Sequence, residues 1–332
     1  MTRLNKIIIP IAGDLLQYER EFKAALDSEV KLINSVSNYL IKNKGKSFRP
    51  ILTLLCSRLC GQPTINTYKA AAMMELLHVA TLIHDDIVDD AKTRRGKPSI
   101  KQIWKNKISV LMGDYILSKA LINMVSLKDF EALDLISKTA EKLSAGEILQ
   151  MEKSITRNMT KNIYYDMINQ KTASLISSSC ELGAITTSKS DIDRKATSEY
   201  GKNLGMAFQI KDDLFDFLGS EFQTGKDSGG DVKKNMLTLP LIYSIESTSR
   251  KERNRLKAII RKKKKSSETL MEIKEIIEKS GGFNYANKKL DEFSSNAIGS
   301  ISSYNDGDIK NSLRCGPNKC PRWVEKSGSA ND

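Results

Sequence analysis

One short acidic motif occurs twice in this chain, each time at the end of an apolar helical run. The first copy is Asp85-Asp86-Ile87-Val88-Asp89, extended by Asp90 and preceded by HVATLIH. The second is Asp212-Asp213-Leu214-Phe215-Asp216, preceded by GMAFQIK. Residues four apart on a helix sit one above the other, so Asp85 faces the same way as Asp89, and Asp212 the same way as Asp216. Stacked carboxylates raise each other's pKa and cost stability unless cations neutralise them. Mg²⁺ suits such ligands, because it takes one or two carboxylates and keeps its other positions for water and phosphate. A single copy reads equally well as a solvated, Asp-rich helix end. Two copies, each directly after an apolar run, are much harder to dismiss. If the two helices face each other, they line a two-sided acidic pocket, and a metal-bridged diphosphate is the ligand that fits it.

The helical period runs through most of the sequence and predicts an all-α fold. Tyr68 to Val88 is apolar nearly all round, which places it in the middle of a bundle. Segments 14–40, 50–59, 108–125, 130–152, 161–187 and 192–218, and the stretch from Leu239 onward, carry three- and four-residue apolar spacing. Aromatics make up 6% of the chain and no run alternates in strand fashion, so an all-β fold is excluded. No linker-like composition shift interrupts residues 1–305, read as one domain; residues 306–332 turn polar and aperiodic and are expected to fray. No stretch of about 18 apolar residues is evident, so no membrane span is expected. The first residues are too soon interrupted to read as a secretory signal. Five cysteines, an odd number, fit a reducing, cytoplasmic setting. Cys56 and Cys60 read as core residues, and Cys315 and Cys320 lack the partners a zinc site needs.

The net charge is +13, of which +9 falls between Arg250 and Lys265, where ten Lys/Arg stand against Glu252. That run holds no aromatic to stack on bases, which argues against a nucleic-acid partner. It reads as a solvated helix end and loop, with a peripheral contact to an anionic membrane surface left open.

A diphosphate site also needs cations. Arg94 and Arg95 follow the first cluster in RRGKPS, Lys46 and Arg49 lie in GKSFRP, Lys171 precedes Thr172 in NQKTASLI, and Lys226 precedes the acidic stretch ending at Asp231. The arginine pair is the best of these, since a planar fork matches phosphate oxygens. There are only two histidines, His78 and His84. Each reads first as a buried, satisfied imidazole, and His78 stands two turns before Asp85 on the same face.

At these residues the chain resembles the trans-isoprenyl diphosphate synthases, the polyprenyl synthetase family. The ordered matches are GKSFRP, ELLHVATLIHDDIVDD, RRGKPS, Gly113-Asp114-Tyr115, Gly146-Glu147, KTASL, FQIKDDLFD and GKDSGGD followed by TLP. The resemblance implies a large antiparallel helix bundle around a central cavity, the isoprenoid synthase type, usually a homodimer. It implies that Asp85, Asp86, Asp89, Asp212, Asp213 and Asp216 hold about three Mg²⁺ ions on an allylic diphosphate. Arg94, Lys171, Thr172, Gln209 and Lys226 match positions that contact the allylic substrate, and Lys46, Arg49, His78 and Arg95 match the isopentenyl diphosphate site. The chemistry implied is ionisation of the allylic C–O bond, condensation and proton loss, with the aspartates and Lys171 as its catalytic groups.

Product length is implied by the helix before Asp85. Ala80 and Thr81 lie about 6–7.5 Å up that helix. Family members with bulky aromatics there stop at short products, whereas small residues here favour a long-chain product, with Leu77 deeper. Quinone side chains and cell-wall lipid carriers are both uses for such a product. The chain also departs from the family. Asn235-Met236 stands where Gly-Lys is usual, Lys44 and Ser47 replace the usual Gly and Arg, and the tail after Leu313 is atypical. These departures keep a second reading open, a non-catalytic regulatory subunit of a heteromeric synthase. A class I terpene cyclase is disfavoured by the intact second cluster and by Lys46, His78 and Arg95.

Overall fold

Apolar side chains at helical spacing fold as helices throughout the computed structural model, which describes residues 7–218, 232, 234–262 and 265–319. The helices are α1 (Ala12–Leu26), α2 (Lys31–Lys42), α3 (Phe48–Cys60), α4 (Ile65–Val88), α5 (Ile100–Ser126), α6 (Phe130–Thr156), α7 (Lys161–Ile168), α8 (Ser174–Ile185), α9 (Asp191–Leu218), α10 (Leu239–Ser247), α11 (Arg250–Arg261), α12 (Ser267–Lys279), α13 (Gly282–Ser300) and α14 (Asp308–Lys319). A π turn, Asn169–Ala173, joins α7 to α8. The strands among the described residues are β1 (Thr93–Arg94) and β2 (Lys97–Pro98), an antiparallel pair. The all-α expectation is met.

The chain divides into two compact units where the sequence suggested one domain over residues 1–305. The first comprises Met1–Glu141, Leu175–Gly201 and Ser303–Leu313, the second Lys142–Ser174, Lys202–Ser302 and Arg314–Asp332. The division falls inside α6, α9 and α14, within helical runs and not at a linker-like stretch, so composition alone does not mark it.

In the first unit α4 is the central element. It starts at a capping box in which the Thr64 backbone N–H donates to Thr67 Oγ1 at 3.0 Å. Its interior buries Ala70 through Leu77 with Ala80 and Ile83, as an all-round apolar helix must. α5 and α1 pack against it. A buried carboxylate ties three helices together. Asp14 of α1, 3% exposed, accepts from Arg58 Nε of α3 at 2.8 Å and from Arg58 Nη2 at 2.9 Å. It also accepts from the Tyr68 hydroxyl of α4 at 2.8 Å. The second unit gathers α7 and α9–α13 around an apolar core that includes Tyr164, Ile210, Leu214, Leu239, Ile260, Ile277 and Phe283.

Three local expectations change. Segment 14–40 breaks at Asp27–Val30, where the Ser28 backbone N–H donates to Asn34 Oδ1 at 3.1 Å, an Asn-built turn that competes with the helix ladder. The tail expected to fray from residue 306 forms α14 over Asp308–Lys319, with Lys310 and Leu313 buried. The Tyr200 hydroxyl donates to the Leu313 carbonyl at 2.8 Å, and Lys310 to the Tyr304 carbonyl. Residues 320–332 lie outside the described residues. Finally, α5 is long and apolar enough to cross a membrane by length and composition, and 33% of its apolar window is buried. Asp14→Ala should strip Arg58 and Tyr68 of their shared acceptor and lower unfolding stability by about 2–4 kcal/mol, read by urea denaturation.

Candidate active site

In the first unit the acidic cluster ends α4, and its three carboxylates differ in burial. Asp89 is exposed, Asp85 half-buried and Asp86 only 4% exposed. An ion that deep needs a partner, and Arg94 supplies it. Arg94 Nε donates to Asp86 Oδ1 at 2.9 Å and Oδ2 at 3.0 Å, and its Nη2 lies 2.7 Å from Oδ1. Arg94 ends β1, and the two residues between the strands, Arg95 and Gly96, both have positive φ (53° and 74°), as a tight two-residue hairpin turn requires. Ser99 anchors the hairpin: its hydroxyl donates to the Ala91 carbonyl at 2.7 Å and accepts from the Gln102 backbone N–H, so that it also caps α5.

The turn carries Arg95 against Gly45. A Cβ on Gly45 would overlap the Arg95 guanidinium, so the residue before Lys46 has to be glycine for the arginine to lie there. A cavity of about 80 Å³ opens here, lined by Lys44, Glu75, His78, Asp86, Arg94 and Arg95 among others. Burial, reinforced by Arg49, Arg95 and Arg94, holds the His78 pKa well below its ordinary value, so the imidazole is neutral at physiological pH. Burial also lowers Arg49 to about 10 and lowers Arg95, in each case against the pull of Glu75. Glu75 itself is raised by burial, opposed by Arg49, Arg95 and Lys44. Its Oε2 and the Arg49 Nε are buried without a hydrogen-bond partner. The cavity thus sets Lys44, Arg94, Arg95 and Lys97 around two buried carboxylates, Glu75 and Asp86, an excess of positive charge that attracts a multiply charged anion.

The second unit repeats the pattern with other residues. Asp212 is exposed, Asp216 half-buried and Asp213 4% exposed. Asp213 accepts from the Tyr164 hydroxyl at 2.6 Å through Oδ2 and from Gln209 Nε2 at 2.9 Å through Oδ1. Gln209 Oε1 in turn accepts from Thr172 Oγ1 at 2.7 Å. Thr172 and Lys171 sit on the π turn, a distortion that commonly marks functional sites. Lys171 Nζ pairs with Glu147. Gly146 admits the turn, because a Cβ there would stand 2.8 Å from the Lys171 nitrogen. A cavity of about 120 Å³ is lined by Lys153, Lys171, Thr172, Gln209, Asp213 and Met236 among others.

Of the expected site residues, His78, Asp86, Arg94 and Arg95 share the first cavity, and Lys171, Thr172, Gln209 and Asp213 share the second. Lys46 and Arg49 line neither, and the same holds for Leu77, Ala80 and Thr81. Ala80 is 1% exposed, and the Thr81 hydroxyl donates to the His78 carbonyl at 2.8 Å. Lys226, Asp231 and Lys233 lie outside the described residues. Sequence reasoning gave no role to Glu75, Tyr164, Glu147 or Lys153. Glu75 and Glu147 did lie inside the quoted motifs, and a buried acid in an apolar helix was the signal that could have picked out Glu75. Among the described residues no three His, Cys, Asp or Glu side chains are grouped so as to hold a metal ion by themselves.

Comparison with known proteins adds a family. The polyprenyl synthetase family model matches residues 30–277. The chain is 37% identical over 247 residues to heptaprenyl diphosphate synthase component 2 of Bacillus subtilis, covering 74% of this chain and 70% of that one. It is 33% identical over 299 residues to the geranyl-diphosphate-specific all-trans-nonaprenyl-diphosphate synthase of Rhodobacter capsulatus, covering 88% and 89%. A polyprenyl synthase from Caulobacter crescentus, crystallised with calcium and isoprenyl diphosphate, superposes with a TM-score of 0.87 at 28% identity over 95% of this chain and 96% of that one. Tyr164→Phe should leave one oxygen of the buried Asp213 without its donor and destabilise the protein by about 1–3 kcal/mol in urea denaturation. An unchanged midpoint would show that this hydrogen bond does not hold the carboxylate.

Proposed function

This chain belongs to the polyprenyl synthetase family and is a prenyltransferase, a trans-polyprenyl diphosphate synthase, and on that premise we propose that it joins isopentenyl diphosphate to an allylic diphosphate with Mg²⁺ and makes a long-chain all-trans product. One observation carries the reading. Each aspartate cluster has its middle carboxylate buried and tied to protein donors beside a cation-lined cavity, while its outer carboxylates reach the surface. The buried member orients the cluster, and the outer members lie where a metal ion and water reach them.

The donor set fits Mg²⁺. Asp85 with Asp89, and Asp212 with Asp216, are carboxylate pairs one helical turn apart. A pair is what Mg²⁺ takes when water and phosphate complete its shell. The lack of any three-ligand protein cluster among the described residues agrees with that economy. Bound there, the ion supplies positive charge that stabilises a departing diphosphate. The relative crystallised with calcium and isoprenyl diphosphate supports a divalent ion in this family.

The protein's own groups bind and orient. Lys171, Thr172 and Gln209 hold the allylic diphosphate, and Glu147 positions the lysine by pairing with it. Arg95 and the neutral His78 hold isopentenyl diphosphate, and Lys44, an unusual residue at its position, adds a cation to the same cavity. The allylic C–O bond breaks with its electron pair leaving on the diphosphate, and the isopentenyl double bond attacks the resulting cation. The released diphosphate takes the proton lost when the new double bond forms. Catalysis lies in stabilising the departing charge, not in a protein nucleophile.

The B. subtilis relative named as a component supports a second reading, in which this chain works within a heteromeric synthase. The homomeric alternative is supported by α5, which exposes Val110, Leu111, Leu121, Ile122 and Val125 along one face that a second copy would cover. A monomer mass by light scattering would remove it. A cytoplasmic setting is supported by the cysteines among the described residues, Cys56, Cys60, Cys180 and Cys315, which form no disulfide with one another.

Purified protein incubated with farnesyl diphosphate, labelled isopentenyl diphosphate and Mg²⁺ should yield an elongated product that vanishes with EDTA. No turnover alone but turnover with an added partner would favour the heteromer, and no turnover in either case would reject the proposal. Ala80→Phe should shorten the product on mass analysis. Because Ala80 is fully enclosed, the variant should also lose about 1–3 kcal/mol of stability to overpacking. An unchanged product length in a folded variant would remove Ala80 from the chain-length role.

A further inference from the structure

The basic run on α11 is a one-sided surface, not a scatter of charges. Leu256, Ile259 and Ile260 are buried and seat the helix against the second unit. The opposite arc carries Arg250, Lys251, Lys257 and Arg261, all exposed, with Lys262 following at the helix end. At a helical period these side chains fan over less than half of the circumference. None of the five has an ion-pair partner among the described residues. Arg255, at the edge of the arc, is the exception: its Nε donates to Glu272 of α12 at 2.6 Å. Glu272 of α12 therefore neutralises the flank and leaves the arc charged. The sequence then continues with Lys263, Lys264 and Lys265, so the positive charge runs on beyond the helix. Lys265 Nζ donates to Asn235 Oδ1 at 2.9 Å.

Five like charges without an ion-pair partner among the described residues repel one another, which costs stability unless an anion meets them. Their layout selects the anion. The arc extends over twelve residues, about 18 Å at 1.5 Å per residue, so a single phosphate cannot engage it. The run has no aromatic on which a base could stack, which disfavours single-stranded nucleic acid. An extended plane of negative charge matches it, and long side chains with apolar stems and charged ends suit a headgroup layer.

We propose that the exposed arc of α11, with Lys262 at its end, docks this protein peripherally on an anionic lipid bilayer. The proposal does not depend on turnover. If the product is the long-chain diphosphate suggested above, docking would deliver it where its apolar chain is soluble.

The test uses the full chain with extruded vesicles of phosphatidylcholine alone, or of phosphatidylcholine with phosphatidylglycerol, read by co-sedimentation. Each cation near such a surface multiplies binding by roughly fivefold. Wild-type protein should therefore bind the anionic vesicles at least about tenfold more than the neutral ones. Binding should be lost near 1 M salt, where screening extends only about 3 Å. Replacing Arg250, Lys251, Lys257 and Arg261 together by Glu should bring binding down to the phosphatidylcholine level while leaving prenyl transfer in solution unchanged. A second variant with Gln at the same positions guards against charge-reversal misfolding and should show the same loss. Equal binding to both vesicle types, full binding by a folded variant, or tighter binding to an oligonucleotide than to the anionic vesicles at the same salt would each overturn the proposal.

Discussion

A carboxylate withdrawn from water has to be met by donors, and each of the two candidate cavities is organised around one that is. Asp86 and Asp213 are each 4% exposed, and each is the middle residue of an aspartate cluster. Both are ionisable groups whose desolvation would be costly if they stood alone. The chain solves this twice by different means. Arg94 reaches Asp86 from a two-residue hairpin turn, a charge-assisted fork. Tyr164 and Gln209 reach Asp213 from two helices, as neutral donors. The chemistry of the two cavities follows from that difference. The first is rich in guanidinium groups, with a neutral His78 beside them. The second sets Lys171 and Thr172 on a π turn among amide and hydroxyl groups.

Backbone approach makes both arrangements possible. Gly45 lets the Arg95 guanidinium lie where a side chain would otherwise stand, and Gly146 lets the π turn come within contact distance of α6. In each case the close neighbour is a residue with an expected diphosphate role, Arg95 or Lys171. The missing Cβ atoms serve the site more than the core.

Much of this was legible in the residues. Three- and four-residue apolar spacing located the helices, because a helix buried on one or all sides must repeat its apolar groups at that period. The duplicated aspartate pentad located both clusters, and the pair Arg94-Arg95 located the cations beside the first. The hairpin was not legible, since two residues per strand carry no alternation. Nor was α14: its polar residues hide the fact that Lys310 and Leu313 are enclosed. The weight of Glu75 and Tyr164 also escaped sequence reasoning. A glutamate and a tyrosine within helical runs announce nothing until their burial and their neighbours are known.

The sequence by itself determined the all-α class, the two acidic helix ends, the basic run after Arg250 and the family to which the chain belongs, because these depend on local periodicity and on residue types at fixed spacing. Only the tertiary structure decided which carboxylate of each cluster is buried and by what it is held, which cations share a cavity, and which face of the basic helix is left unpaired. Those outcomes depend on segments far apart in the chain coming within a few ångströms of one another, and local spacing carries no record of that.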